Sequence, residues 1–396
     1  MRRAPFVSLI ALATLLAACS GDALPPTPPP APASTATATP ATASQPAPSL
    51  TATEAARPSP APAPTITIAA VGDLMFARDV TTLMQQHGAA YPFERVLPLF
   101  AGADLLIGNL EGTFTDRGEA LDKYYTFRTP PALAETLRLA GFDAVSLANN
   151  HSYDFGLTGL KDTLDALAAA GVTSFGAGLN RERAYLPAVL GVDGITVALL
   201  GFDDIGETRF AEGDGAGVAR ASLTNEPEIA LAATWADYVI VSLHAGTEYS
   251  PEPTSWQRAL ARNAIDAGAD VVIGHHPHVL QPWERYNGGL IIYSLGNFVF
   301  DLDPDDLATL GSGPFETAVA MITLSPDAPP QVEFRPAYID PVENRPRPAS
   351  ATEAAAIGEA LREVAPFSES ASQGRDVARP TAAAASTATG RPRPPD

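Results

Sequence analysis

Val271-Val272-Ile273-Gly274-His275-His276-Pro277-His278 reads as a short β-branched strand running into a turn crowded with imidazoles. The same arrangement recurs upstream. Val71-Gly72-Asp73 closes a strand-like segment over 65–71, and Gly108-Asn109-Leu110-Glu111 follows an apolar run at 104–107. Ala148-Asn149-Asn150-His151 follows a strand pattern at 142–147, and Ser242-Leu243-His244 ends another at 238–243. Helix-period segments lie between them, over 77–87, 131–140, 157–170 and 256–267, the third closed by Gly171. Asp193-Gly194 between 187–192 and 195–201 suits the tight turn of a hairpin. The last third is strand-rich, at 290–294, 317–324 and 332–338. Alternating strands and helices followed by strands imply an α/β domain with a mixed sheet or two packed sheets, helices outside. In such folds the carboxyl ends of the strands form the ligand crevice. Five strand ends delivering Asp, Glu, Asn and His to one rim are hard to attribute to packing.

The ends of the 396-residue chain differ from this middle. Residues 24–64, and again those after about 345, are mostly Pro, Ala, Thr and Ser, too poor in apolar surface to offset the entropy of ordering. One domain is therefore expected over 65–344, with a mostly disordered tail at 345–396. Net charge is −20, which argues against a nucleic-acid partner. An anionic substrate would need a local reversal of the field, such as bound divalent cations supply. Cys19 is the one cysteine, so an intramolecular disulfide is excluded. Arg2 and Arg3 precede an apolar run at 6–18 that ends in Leu16-Ala17-Ala18-Cys19, which looks like a bacterial lipobox. Residues 1–19 are then a lipoprotein signal peptide, Cys19 the lipidated residue, and 20–64 a Pro-rich tether to the extracytoplasmic face of the membrane. The alternative is an ordinary secretory signal with an incidental cysteine.

Of the six histidines, all but His87 lie in the strand-end turns. A single buried histidine is commonly a packed core residue. The His276/His278 pair with His151 points instead to a ligand set. Imidazole and carboxylate donors suit Zn, Mn, Fe or Co, and the oxygen-rich portion suits Mn or Mg. Arg78 follows Asp73 closely enough to meet an anionic substrate. Lys123, Tyr124, Tyr125 and Arg128 form a basic-aromatic loop unusual in so acidic a chain, and Glu248 and Tyr249 follow His244. These are candidate substrate contacts, with surface pairing or packing as the alternative for each. Asp154 and Asn297 are read as loop-orienting residues.

Gly72-Asp73-Leu74-Met75-Phe76-Ala77-Arg78, Gly108-Asn109-Leu110-Glu111-Gly112, Asn149-Asn150-His151-Ser152-Tyr153-Asp154, His244-Ala245-Gly246-Thr247-Glu248-Tyr249, His275-His276-Pro277-His278 and Ser294-Leu295-Gly296-Asn297-Phe298 occur in the order of the CapA capsule-synthesis family, which the chain resembles from 65 to about 340. That family is similar to calcineurin-like metallophosphoesterases, which implies a four-layer α/β/β/α sandwich. Carried over, the resemblance makes Asp73 the first metal ligand and Asn150 a ligand. His151 becomes the catalytic histidine at the leaving group, and His244, His276 and His278 become further ligands. Two positions depart from the phosphoesterase pattern. Met75 stands where a histidine is expected, and Asn109, still a possible ligand, stands where a bridging aspartate is expected. Glu111 is the residue expected to restore the lost charge, with capping of the following turn as its alternative. The resemblance implies a metal-dependent hydrolase, using one or two divalent ions, that acts on a phosphoester or on poly-γ-glutamate. Its alternative is a non-catalytic protein that guides the anionic polymer for a capsule synthase complex.

Overall fold

The computed structural model describes residues 64–365. The expected leader at 1–19, its lipidation site Cys19, the tether up to 63 and the chain after 365 lie outside the described residues.

Two large sheets carry the fold. In the first, Ile66–Leu74, Leu105–Leu110, Ala144–Ser146 and Thr173–Phe175 are parallel neighbours. On the other side of Ile66–Leu74 the sheet continues antiparallel through Glu316–Ser325, Ala328–Asp340 and Arg345–Pro348. The second sheet has the order Leu280–Tyr286, Gly289–Leu295, Val271–His275, Tyr238–His244, Ile195–Asp203, Ala188–Val192, with parallel central strands and an antiparallel hairpin at each edge. The hairpin at 192–195 turns on Asp193 and Gly194, both with positive φ (49° and 85°), as a tight turn of opposite hand requires.

Strand alternation sorts the side chains into layers. Ile66, Ile68 and Ala70 face Val197, Leu199, Ile240 and Ile273 in a core between the sheets. Ala69 and Val71 point the other way, onto Val80, Met84, Leu160 and Leu167 of the helices Asp79–His87 and Gly156–Ala170. Ala198, Leu200, Val239 and Val241 likewise meet Ile229, Leu260 and Ala264 of Glu226–Ala233 and Ser255–Asp266. The chain is therefore a four-layer α/β/β/α sandwich. The helix Ser255–Asp266 starts where Thr254 and Gln257 form a capping box, which satisfies its first free N–H groups.

The folded region extends beyond the expected boundary at 344. Arg345–Pro348 pairs with Ala328–Asp340 at the sheet edge, and Ala351–Ala360 forms a helix capped by Ser350 and Glu353. Pro346 and Pro348 alternate along that edge strand, where a missing N–H can face away from the ladder. Among the described residues no helix is long and apolar enough to cross a membrane.

One passage of the chain between the two sheets is a single residue long. Gly289–Leu295 belongs to the second sheet and Asn297–Val299 pairs with Ile66–Leu74 of the first, so the chain changes sheet at Gly296. Gly296 takes φ +62°, and its carbonyl accepts the Asp73 N–H at 2.9 Å. A Cβ on Gly72 would stand 2.0 Å from that carbonyl oxygen, so this position is confined to glycine. Asp73 is thereby fixed against the junction of the sheets.

Candidate metal centre

Each sheet supplies part of one polar pocket at its strand ends. Asp73, Asn109 and Glu111 come from the first, and His244, His275, His276 and His278 from the second. Asn150 and His151 stand in the turn after Ala144–Ser146. Asp73, Glu111 and His244 are fully buried, and His151, His276 and His278 nearly so.

Glu111 is the centre of the arrangement. Both its carboxylate oxygens are buried and accept no hydrogen bond. Around Oε1 stand His278 Nε2 at 3.8 Å, His244 Nε2 at 3.9 Å and His151 Nε2 at 4.0 Å. Asp73 Oδ2 is 3.6 Å from His278 Nδ1, and His275 Nδ1 stands 3.2 Å from Asp73 Oδ1 without hydrogen-bond alignment. Donors bound to one ion at about 2.0–2.2 Å are separated by about 3–4 Å. The spacings around Glu111 Oε1 therefore fit a cation better than a hydrogen-bonded network. Asp73, Glu111 and His278 form one group able to hold a metal ion, and Glu248, His276 and His278 form another.

Charge in the pocket agrees. Burial alone would raise the Asp73 carboxyl, but contacts with His275, His278 and Asn109 hold it below its ordinary value. Glu111 is pushed well above the usual carboxylate range by burial, then by Asp73 and Glu248. A divalent ion would reverse that sign and ionise it. Burial and mutual repulsion push His244 well down and His276 down to about 3, leaving neutral imidazoles with lone pairs to donate. Neutral imidazoles with two carboxylates make a donor set for a borderline divalent cation.

Neighbouring side chains set the directions. His278 Nδ1 bonds Asn297 Oδ1 at 2.9 Å, which leaves Nε2 facing Glu111. His151 Nδ1 donates to Asp154 Oδ2 at 2.8 Å, so its Nε2 faces the pocket. His244 Nε2 lies 3.0 Å from Asn150 Oδ1. Backbone strain concentrates here. Arg78, Tyr249, His276 and His278 all have positive φ, a conformation uncommon without glycine.

The other sequence candidates divide. Asn109 directs Nδ2 at Asp73 Oδ1 (2.9 Å) and at His244 Nδ1 (3.4 Å), while its Oδ1 receives Asn149 Nδ2 at 3.0 Å. It therefore presents donors, not a lone pair, and is a bridge between the sheets rather than a ligand. Met75 is buried with Ala77 and Phe127. Lys123 is not available to a substrate, because its Nζ is held by Asp154 Oδ1 at 2.7 Å and Asn150 O at 2.6 Å. Arg128 is also engaged, donating to Arg117 O and Gly118 O and lying 3.8 Å above the Phe155 ring. Arg78, Tyr125, Tyr249 and Glu248 do reach the mouth. The Arg78 guanidinium lies 4.9 Å from the Tyr125 ring centre and 4.0 Å from Asp301, and the Tyr249 ring stands 6.1 Å from that of His278.

Three features escaped the sequence reading. His275 approaches Asp73, Asn149 ties Asn109 and Leu110 O to the His151 turn, and Phe127 and Phe300 pack on His151 and His278 at 4.1 and 5.0 Å. Phe127 lies inside the basic-aromatic loop, whose aromatic content was the available signal.

The family model described as "Bacterial capsule synthesis protein PGA_cap" matches residues 67–302, which hold every pocket residue named above. The chain belongs to this family. Within it, the PGA biosynthesis protein CapA of Bacillus subtilis (strain 168) is 40% identical over 240 residues, covering 58% of this chain and 62% of the relative. The capsule biosynthesis protein CapA of Bacillus anthracis is 37% identical over 247 residues, covering 58% and 59%. A probable polyglutamine synthesis accessory protein of Mycobacterium tuberculosis is 33% identical over 214 residues, covering 50% and 56%. The chain thus spans about six-tenths of the length of these relatives. Among solved structures, a hypothetical protein from Thermus thermophilus aligns with TM-score 0.41 at 20% identity, covering 68% of this chain and 99% of that one. The NAD nucleotidase of Haemophilus influenzae aligns with TM-score 0.40 at 13% identity, covering 77% and 58%.

Proposed function

We propose that this capsule-synthesis family member is a membrane-anchored, extracytoplasmic, metal-dependent hydrolase of poly-γ-glutamate capsule metabolism, cleaving a phosphoester or a bond of the polymer. The observation that carries this reading is the bare Glu111 carboxylate, buried without a donor and ringed by three imidazoles. Left uncompensated, such a group costs several kcal/mol, and a bound cation removes that penalty. Asp73, Glu111, His244, His276 and His278 would hold the ion, with Asn150 beside them. When bound, it supplies a Lewis acid that activates water and offsets charge at a phosphoryl or carbonyl centre.

The remaining chemistry belongs to the chain. His151, fixed by Asp154 and covered by Phe127, holds its Nε2 toward the pocket to pass a proton to or from a leaving oxygen. Burial pushes His151 below its ordinary range, so as an acid it needs an anionic substrate close by. Arg78, backed by Tyr125, meets such a substrate at the mouth. Lipidation of Cys19, with the tether to residue 64, would place this mouth outside the membrane.

The test is elemental analysis of the purified chain, followed by turnover of a chromogenic phosphodiester and of poly-γ-glutamate. Stoichiometric divalent metal, with turnover lost in His276→Ala, is expected; undiminished turnover in that variant would end the proposal. A second reading, polymer guidance without cleavage for a capsule synthase complex, is favoured by two positions. Asn109 brings neither charge nor lone pair, and Met75 brings no imidazole. Calorimetric binding of the polymer without cleavage, under every metal tried, would select it.

A further inference from the structure

Two side chains of opposite charge reach the pocket mouth, Arg78 from the turn after Ile66–Leu74 of the first sheet and Glu248 from the turn after Tyr238–His244 of the second. Elsewhere arginines of this chain grip carboxylates in two-bond forks at 2.8–3.1 Å, Arg262 on Glu284 and Arg347 on Glu353. Arg78 meets Asp301 only at 4.0 Å, and its side chain is 39% exposed. Its fork is therefore open toward the mouth. Glu248 is exposed and forms no close pair with a lysine or arginine among the described residues.

Both charges are held in place. Arg78 has φ +59°, and its guanidinium lies 4.9 Å and 5.1 Å from the ring centres of Tyr125 and Phe127. The turn that carries Glu248 is fastened by the next residue, whose N–H donates to the Pro277 carbonyl at 2.8 Å. That residue, Tyr249, also has φ +59°. Strained backbone outside glycine thus flanks the mouth on both sides. One side chain feels both charges. Burial and then Tyr124 raise the Tyr125 hydroxyl above its ordinary value, while Arg78 pulls it down and Glu248 pushes it up. Tyr125 is 51% exposed and Tyr249 45%, so these rings border the opening.

An open guanidinium fork suits a planar carboxylate, and a carboxylate beside aromatic faces suits an ammonium. Together they require a ligand that carries both groups close together. A γ-linked glutamyl chain has that pair once, at its amino end; interior units expose carboxylates and no ammonium. An interior stretch would also be repelled by a protein of net charge −20.

We propose that Arg78 and Glu248 recognise an α-amino acid head group, its carboxylate on Arg78 and its ammonium on Glu248, so that a γ-glutamyl chain enters the pocket by its amino end. The proposal rests on the reading of the pocket as a site for that polymer, and its test needs no turnover. Short γ-linked glutamyl peptides, one with a free amino end and one N-acetylated, are titrated calorimetrically into the full chain. The free peptide should bind about tenfold more tightly. Glu248→Gln should erase that preference and leave the acetylated peptide unaffected. Arg78→Met should weaken both peptides about tenfold and keep the preference. Glu252→Gln, on the same loop but paired with Arg362, should change neither. Near-ultraviolet circular dichroism of each variant shows that the fold is retained. Equal affinity for the two peptides, binding of neither, or a preference that survives Glu248→Gln would overturn the head-group site. A preference erased by Glu248→Gln, without turnover under any metal, keeps this site and sinks the hydrolase. Turnover of the polymer with equal affinity for the two peptides does the reverse.

Discussion

Asp154 and Glu111 are both fully buried carboxylates in the same pocket, and the chain treats them in opposite ways. Asp154 receives Lys123 Nζ at 2.7 Å, His151 Nδ1 at 2.8 Å and the Phe127 N–H at 2.8 Å. Glu111 receives nothing. The fold can thus bring a lysine and a backbone donor to a buried acid when neutrality is required. The bareness of Glu111 is a deficit of positive charge left by the same architecture at the neighbouring strand end. The contrast separates a buried acid that the protein supplies with positive charge from one to which it supplies none.

The sharpest way to break this contrast is Glu111→Gln. The amide removes a carboxyl that burial and Asp73 push well upward, so the chelated protein should melt higher than the unaltered one. In the same variant, affinity for divalent metal should fall by about 100-fold, read by elemental analysis after dialysis. A lower melting temperature with unchanged metal content would show Glu111 to be an ordinary packed residue. Lys123→Met tests the other side. It strips the internal cation from Asp154 and should destabilise the protein by about 3 kcal/mol in urea titrations. Arg78→Met, at the half-exposed mouth, should leave stability within about 0.5 kcal/mol and raise KM for an anionic substrate about tenfold. If the two variants changed places, the assignment of one cation to structure and the other to substrate would be wrong.

The smallest effect is expected outside the pocket, at the helix Ala351–Ala360. Glu353 is held down to about 2 by Arg347, with backbone and side-chain bonds to Ser350 assisting, against 4.5 for a free glutamate. The unfolded chain takes up this proton near 4.5 while the folded one resists until about 2. Stability from the pair is therefore complete above 4.5 and drains away as pH falls toward about 2. Glu353→Gln should flatten the melting-temperature profile across that window and leave its shape unchanged around neutral pH.

How far the sequence could be read follows the same division. The candidate ligands Asp73, Glu111, His244, His276 and His278 sit at or directly after the ends of apolar strand runs, and chain topology brings parallel strand ends together, so their convergence was legible. The roles of Lys123 and Arg128 were not. Their partners, Asp154 and the carbonyls of Arg117 and Gly118, are joined to them by loop folding, and composition marks a cation without saying what answers it. Asn109 was ambiguous because an amide offers either a lone pair or hydrogens, and Asn149 decides between them. The edge strand Arg345–Pro348 was hidden by its prolines. The helix Ala351–Ala360 was hidden by its alanines, although Ser350 and Glu353 spell a capping box.

The change of sheet at Gly296 has a mechanical side. The pocket's donors are split between two separately hydrogen-bonded sheets whose facing surfaces meet through aliphatic packing. Anything that grips Asp73 from one and His276 from the other acts as a rivet through the sandwich. Its removal should speed hydrogen exchange at protected amides deep in Ile195–Asp203 and Tyr238–His244, most of which lie far from any ligand atom.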